Sequence, residues 1–151
     1  MNCNLTIVNG PNLNMLGKRE AHHYGAKTWD AIWSDLEKWG MKNDIPLNYF
    51  QSNSEGTLID YLQDAVTKTS GVLFNPGAYA HTSIALRDCV ADMSVPVVEV
   101  HLSKIHKREA FRAHSYIAEV AEACIVGFGE EGYLLGLELL KHLTHDGTQQ
   151  R

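Results

Sequence analysis

Glu99 and His101 stand two apart in the run VVEVHL (97–102). On a strand that spacing turns both side chains to one face. A carboxylate beside an imidazole orients the ring and favours its charged form, which suits a general acid. The same pair would equally serve as a structural ion pair at a sheet edge. Arg108 and Arg112 follow, four apart, so one helical turn would present both guanidinium groups together. Guanidinium groups bind carboxylates bidentately, which makes the pair a candidate carboxylate clamp; Glu109 and Glu20 could instead neutralise it. The run from Asn75 through His81 to Ser83 supplies an amide, an imidazole and the free N–H groups of a starting helix at one point. Asp88 lies seven residues beyond His81, two helical turns along, and would share its face. Asn12, Arg19 and Tyr24 fall together in one long loop. Taken at face value, these groups describe acid–base chemistry on a small carboxylate-bearing substrate.

Other chemistries find no footing. His22-His23, His101/His106 and His142/His145 do not make HExxH, and no cysteine pair has metal-ligand spacing, so no metal is expected. GxSxG and GxxxxGK[ST] are absent, which argues against a serine hydrolase and a P-loop nucleotide site; the GFGEEG run (127–132) before the last helix fits GxGxxG in letters, but alone it is too weak a signal to carry a dinucleotide cofactor. The cysteines at 3, 89 and 124 read as reduced packing residues of a cytoplasmic protein.

These residues need a frame, and the hydrophobic pattern supplies one. Short apolar runs at 4–9, 46–51, 71–75, 97–102 and 123–127 alternate with helical periodicity. One helix carries Trp29, Ile32, Trp33, Leu36 and Trp39 after a Thr28 cap, with Gly40 as its stop; a second carries Leu58, Ile59, Leu62, Ala65 and Val66. A third is expected near 83–93 behind a Thr82 cap, and a fourth near 131–143 with Tyr133, Leu134, Leu137 and Leu140 on one side. Alternating βα units predict an α/β fold, a doubly wound five-stranded parallel sheet between two helical layers, and suit the flavodoxin-like order 2-1-3-4-5. Ligands then bind beyond the carboxyl ends of the strands, where Asn9, Asn12, Ser52, Asn75, His101 and Ser103 fall. The loop at 10–27 is too long for a turn and reads as a lid, with Gly17 and Gly25 as hinges around Arg19 and Tyr24.

A length of 151 residues suits one domain, with a loose tail expected at about 144–151. The formal net charge of −5 argues against a nucleic-acid or anionic-membrane partner. No stretch is apolar for long enough to span a membrane, and MNCNLTIVNG lacks the basic start of a signal peptide.

In order and spacing, the chain closely resembles type II 3-dehydroquinate dehydratases. The matching stretches are NGPNLNMLGKRE (9–20), HYG (23–25), QSNSEG (51–56), NPGAYAHTS (75–83), ALRD (85–88), EVHLS (99–103), RE-FR (108–112) and GFGEEGY (127–133). The resemblance implies a flavodoxin-like enzyme of the shikimate pathway, assembled as a dodecamer of trimers. Its reaction would be anti elimination of water from 3-dehydroquinate through an enolate, without metal, cofactor or Schiff base. It makes Tyr24 the base at C2, His101 the acid for the departing hydroxyl, Arg19 the lid arginine, and Asn12 the holder of a water against the enolate oxygen. Asn75, His81, Leu102 through its backbone, Ser103 and Arg112 would bind substrate. Asp88 would reach a site across a subunit interface, Glu99 would support His101, and Arg108 would help activate Tyr24.

That role asks much of a tyrosine. Its hydroxyl must fall by about three units to act as a base at neutral pH, worth roughly 4 kcal/mol. Unit charges ~4 Å apart at an effective dielectric near 20 interact by about 4 kcal/mol, and burial opposes the shift, so two nearby cations suit better than one. The chain departs from the family's usual residues at Lys104, Ala21, Ser54 and Ala80, which touches affinity and lid stiffness but removes no catalytic group. A flavin carrier or phosphoacceptor module on the same fold is the competing class, and would want a Ser/Thr/Gly-rich loop after the first strand or acids at strand ends. Asn9-Gly10-Pro11-Asn12 and Asn75 stand there instead. A hydrolase or another lyase acting on a cyclic hydroxy acid is a third reading that the same acid and base would serve.

Overall fold

In the computed structural model, residues 2–18 and 27–149 are described. Five strands, β1 (Leu5–Asn9), β2 (Leu47–Gln51), β3 (Gly71–Asn75), β4 (Val97–His101) and β5 (Ala123–Val126), form one parallel sheet in the order β2-β1-β3-β4-β5. Leu5, Ile7, Leu73, Val98 and Val100 point to one face, Val8, Val72, Phe74 and Val97 to the other. Both faces are apolar because both are covered, as parallel sheets require. The first face packs helices α1 (Trp29–Asn43) and α4 (Glu131–Gln149), through Ile32, Leu36, Leu137 and Leu140. The second packs α2 (Glu55–Ala65) and α3 (Ile84–Ala91), through Leu58, Leu62, Leu86 and Val90. Among the described residues no helix is long and apolar enough to cross a membrane.

Helix starts follow side-chain caps. Thr28 accepts from the Ala31 N–H and Ser54 from Thr57, each at 3.3 Å. The third cap is Ser83, whose hydroxyl accepts from Leu86 N at 2.9 Å; Thr82 instead closes the preceding 3-10 turn. Gly40 does not stop α1. A Cβ there would lie 2.7 Å from the Ile45 carbonyl oxygen, so this glycine admits the returning chain, and the helix ends at Asp44 in the left-handed conformation. The last helix runs on to Gln149, beyond the expected end near 143.

The loop that leaves β1 is anchored at its start. Leu13 and Leu16, around a 3-10 turn at Leu13–Met15, are buried in the same cluster as Trp29. Gly10 brings this loop against the one after β3, since a Cβ there would come within 2.5 Å of the Pro76 carbonyl oxygen. Both carboxyl-end loops thereby meet over the centre of the sheet, where strand order reverses around β1 and β3.

Candidate active site

A cavity of about 110 Å³ opens at that point. Its walls come from three loops: Asn12, Leu13 and Leu16 after β1, Asn75 to His81 after β3, and His101 to Arg112 after β4. Of the residues singled out in the sequence, Asn12, Asn75, His81, His101, Leu102, Ser103, Arg108 and Arg112 line it. Arg19 and Tyr24 lie outside the described residues.

Glu99 sits behind His101, fully buried. His101 Nε2 donates to Glu99 Oε1 at 2.8 Å, as the two-residue spacing on β4 allows. Ser115 donates to the same oxygen at 2.5 Å, and the Cys124 thiol to Oε2 at 3.0 Å. Burial alone would raise the Glu99 carboxyl, but the bond and charge of His101, with Ser115 and Cys124 behind them, hold it below the usual range. This buried carboxylate is thus held ionised by three hydrogen-bond donors. His81 faces His101 across the cavity, ring centroids 6.0 Å apart, and its Nδ1 is 2.7 Å from the His114 carbonyl oxygen. Desolvation pushes the His81 imidazole below its ordinary value, which that carbonyl only partly offsets.

Asn75 is held from both ends. Its Oδ1 accepts from the Gly77 N–H at 3.1 Å, and its Nδ2 donates to the Tyr133 hydroxyl at 2.9 Å. Because a backbone N–H only donates, the Gly77 bond fixes which way the amide points. Tyr133 must therefore accept from Asn75, and it donates onward to Asn9 Oδ1 at 2.8 Å. Burial pushes the Tyr133 hydroxyl far above its ordinary range, so it stays neutral. One N–H of the Asn75 amide remains for the cavity, where it can serve only an acceptor.

The two arginines reach the cavity by a route other than a shared helical turn. Arg112 ends the 3-10 segment Ala110–Arg112, whereas Arg108 is extended between that segment and Ile105–Lys107. Arg108 Nη1 donates to Ser103 Oγ at 3.3 Å. Arg112 Nε donates to Glu109 Oε2 at 2.7 Å, which anchors the guanidinium by one nitrogen and leaves its terminal nitrogens for a ligand. Cationic groups thus concentrate here although the chain is acidic, an arrangement that suits a carboxylate.

The chain belongs to the class II dehydroquinase family. The family described as Dehydroquinase class II matches residues 3–141, nearly the whole chain. A 3-dehydroquinate dehydratase of Bacillus pumilus is 52% identical over 134 residues, 89% of this chain and 91% of that protein. One from Bartonella bacilliformis is 46% identical over 147 residues, 97% and 93% of the two chains. In structure the chain is similar to the type II dehydroquinase of Butyrivibrio crossotus, with a TM-score of 0.90 at 38% identity over 92% of this chain and 97% of that one. This sets aside the flavin-carrier and phosphoacceptor readings.

Several details of this dehydroquinase chain differ from the sequence expectation. Asp88, expected to serve a neighbouring subunit's site, stands outside its own chain's cavity, and its carboxylate pairs with the neighbouring Arg87 at 3.2 Å on the exposed side of α3. His81 and Asp88 share no helix, because His81 belongs to the 3-10 turn before Ser83 caps α3. Cys124 is not merely a packing residue. It lies on the edge strand and is exposed as a residue, yet its sulfur points inward at Glu99, and burial pushes the thiol above its usual range. Ser115, Cys124 and Tyr133 were not legible as site residues: no motif marks Ser115 or Cys124, Tyr133 only closes the GFGEEGY stretch, and the loop between β4 and β5, the register of those strands and the approach of α4 bring the three in.

Proposed function

We propose that this class II dehydroquinase removes water from 3-dehydroquinate to give 3-dehydroshikimate in the shikimate pathway, with Tyr24 as base and His101 as acid. The Tyr24 phenolate takes the C2 proton, with Arg19 and Arg108 favouring the charged oxygen. The resulting enolate is held through a water on Asn12. Its electrons expel the β hydroxyl, which takes a proton from the His101 imidazolium and leaves as water. Asn75, His81, Ser103, the Leu102 backbone and Arg112 together bind the substrate's hydroxyls and carboxylate. Carrying this reading is the carboxylate-backed His101 sharing one cavity with Arg112 and with an Asn75 amide of fixed direction.

We place the enzyme in the cytoplasm as a dodecamer of trimers, with the loop 10–27 closing over bound substrate. Support for a shared site comes from Asp88, which is exposed on α3 and does not line its own chain's cavity. Adding 3-dehydroquinate to the purified protein and recording ultraviolet absorbance tests the reaction. A rising band from the conjugated enone product is expected. No absorbance change over a protein-free blank would refute it.

A further inference from the structure

Glu99 has one ring to orient and two further partners that the reaction itself does not call for. Cys124 is its register neighbour on β5, so strand pairing turns both side chains to the same face. Ser115 approaches from the loop between β4 and β5, and its own hydroxyl accepts from the Ala118 N–H at 3.2 Å. An N–H can only donate, so that bond forces the Ser115 hydrogen toward Glu99. A thiol facing a carboxylate must likewise donate, which keeps Cys124 protonated.

We propose that Ser115 and Cys124 are positioning residues for His101, pinning both oxygens of Glu99 so that the carboxylate stays ionised and aimed at the ring. The proposal rests on the reading of His101 as the acid of the elimination. Its physical content is simple. A carboxylate that accepts several hydrogen bonds holds its charge to lower pH, and each donor removed lets it take up a proton sooner. A protonated Glu99 no longer favours an imidazolium at position 101. Among the described residues, the other titratable or charged groups facing this centre are His81 across the cavity and Arg112 and Arg108 on its wall; all three stay in place in the variants below.

Two measurements test the proposal. In the first, the pH profile of kcat/KM is recorded for wild type, Ser115→Ala, Cys124→Val and Cys124→Ser. The acid limb should move up by about one pH unit in Ser115→Ala and Cys124→Val, since donors to charged groups are worth about that much. Cys124→Ser keeps a donor and should restore the wild-type limb, which a packing role alone would not predict. In the second, iodoacetamide labelling of the Cys124 peptide is followed against pH by mass spectrometry in wild type and Glu99→Gln. Removing the carboxylate's charge should bring labelling to lower pH. An unmoved acid limb in both donor-deleting variants, or identical labelling profiles, overturns the proposal. A wild-type protein that fails to dehydrate 3-dehydroquinate would refute the functional reading instead, and the labelling arm would still decide the link between Cys124 and Glu99.

Discussion

The Tyr133 hydroxyl accepts a hydrogen bond from Asn75 Nδ2 at 2.9 Å, which ties the last helix to the floor of the cavity. Tyr133→Phe deletes only that oxygen, yet it strands a donor on Asn75 and removes the bond to Asn9. A stability loss of about 1–3 kcal/mol is expected, the usual cost of leaving a buried polar partner unsatisfied. The Asn75 amide also loses one of its two anchors, so KM should rise more than kcat falls. Denaturant melts and steady-state kinetics of this variant check both statements.

Arg112 should act in binding more than in chemistry, because its charge serves a carboxylate that does not react. Arg112→Ala is expected to raise KM by roughly tenfold to a hundredfold, the equivalent of one lost charge-assisted hydrogen-bond pair. Arg112→Lys should recover only part of this, since an ammonium cannot reproduce the fork held by Glu109. Isothermal titration with a non-reacting carboxylate analogue measures the effect apart from turnover.

Acid should destabilise the fold in two stages. His81 has a lowered value in the folded state, so the unfolded chain binds its proton first. Stability therefore begins to fall as pH drops below the ordinary histidine value of about 6.5. The Glu99 carboxyl is also lowered: its contribution is fully present above the ordinary glutamate value and is lost as pH falls through the folded one. His81→Asn should flatten the first stage and leave the second. Urea midpoints collected from pH 8 to pH 3 resolve the two.

The fold was largely legible in the sequence because its signals are local. Apolar runs alternating with capped helical periods gave five strands, and the edge rich in amides followed from where those strands end. Boundaries failed where a tertiary contact outranked a local rule, as at Gly40, kept for the passing Ile45 carbonyl, and at Thr82, displaced as a cap by Ser83. The pair Glu99–His101 was visible because its two-residue spacing lies on one strand. Ser115 and Cys124 were not, because strand register and a loop bring them to Glu99 from sixteen and twenty-five residues away. The shared face of His81 and Asp88 was read from helical spacing, which fails once a 3-10 turn intervenes.

The central claim is the division of labour between Tyr24 as base and His101 as acid. Incubating 3-dehydroquinate in deuterated water and measuring C2 exchange beside product formation tests it most directly, in wild type, Tyr24→Phe and His101→Ala. Tyr24→Phe should lose both exchange and product by at least ~10²–10⁴-fold, because the base is removed outright. His101→Ala should retain C2 exchange far better than water loss, because it acts on the leaving hydroxyl. Wild-type exchange in Tyr24→Phe would contradict the assignment.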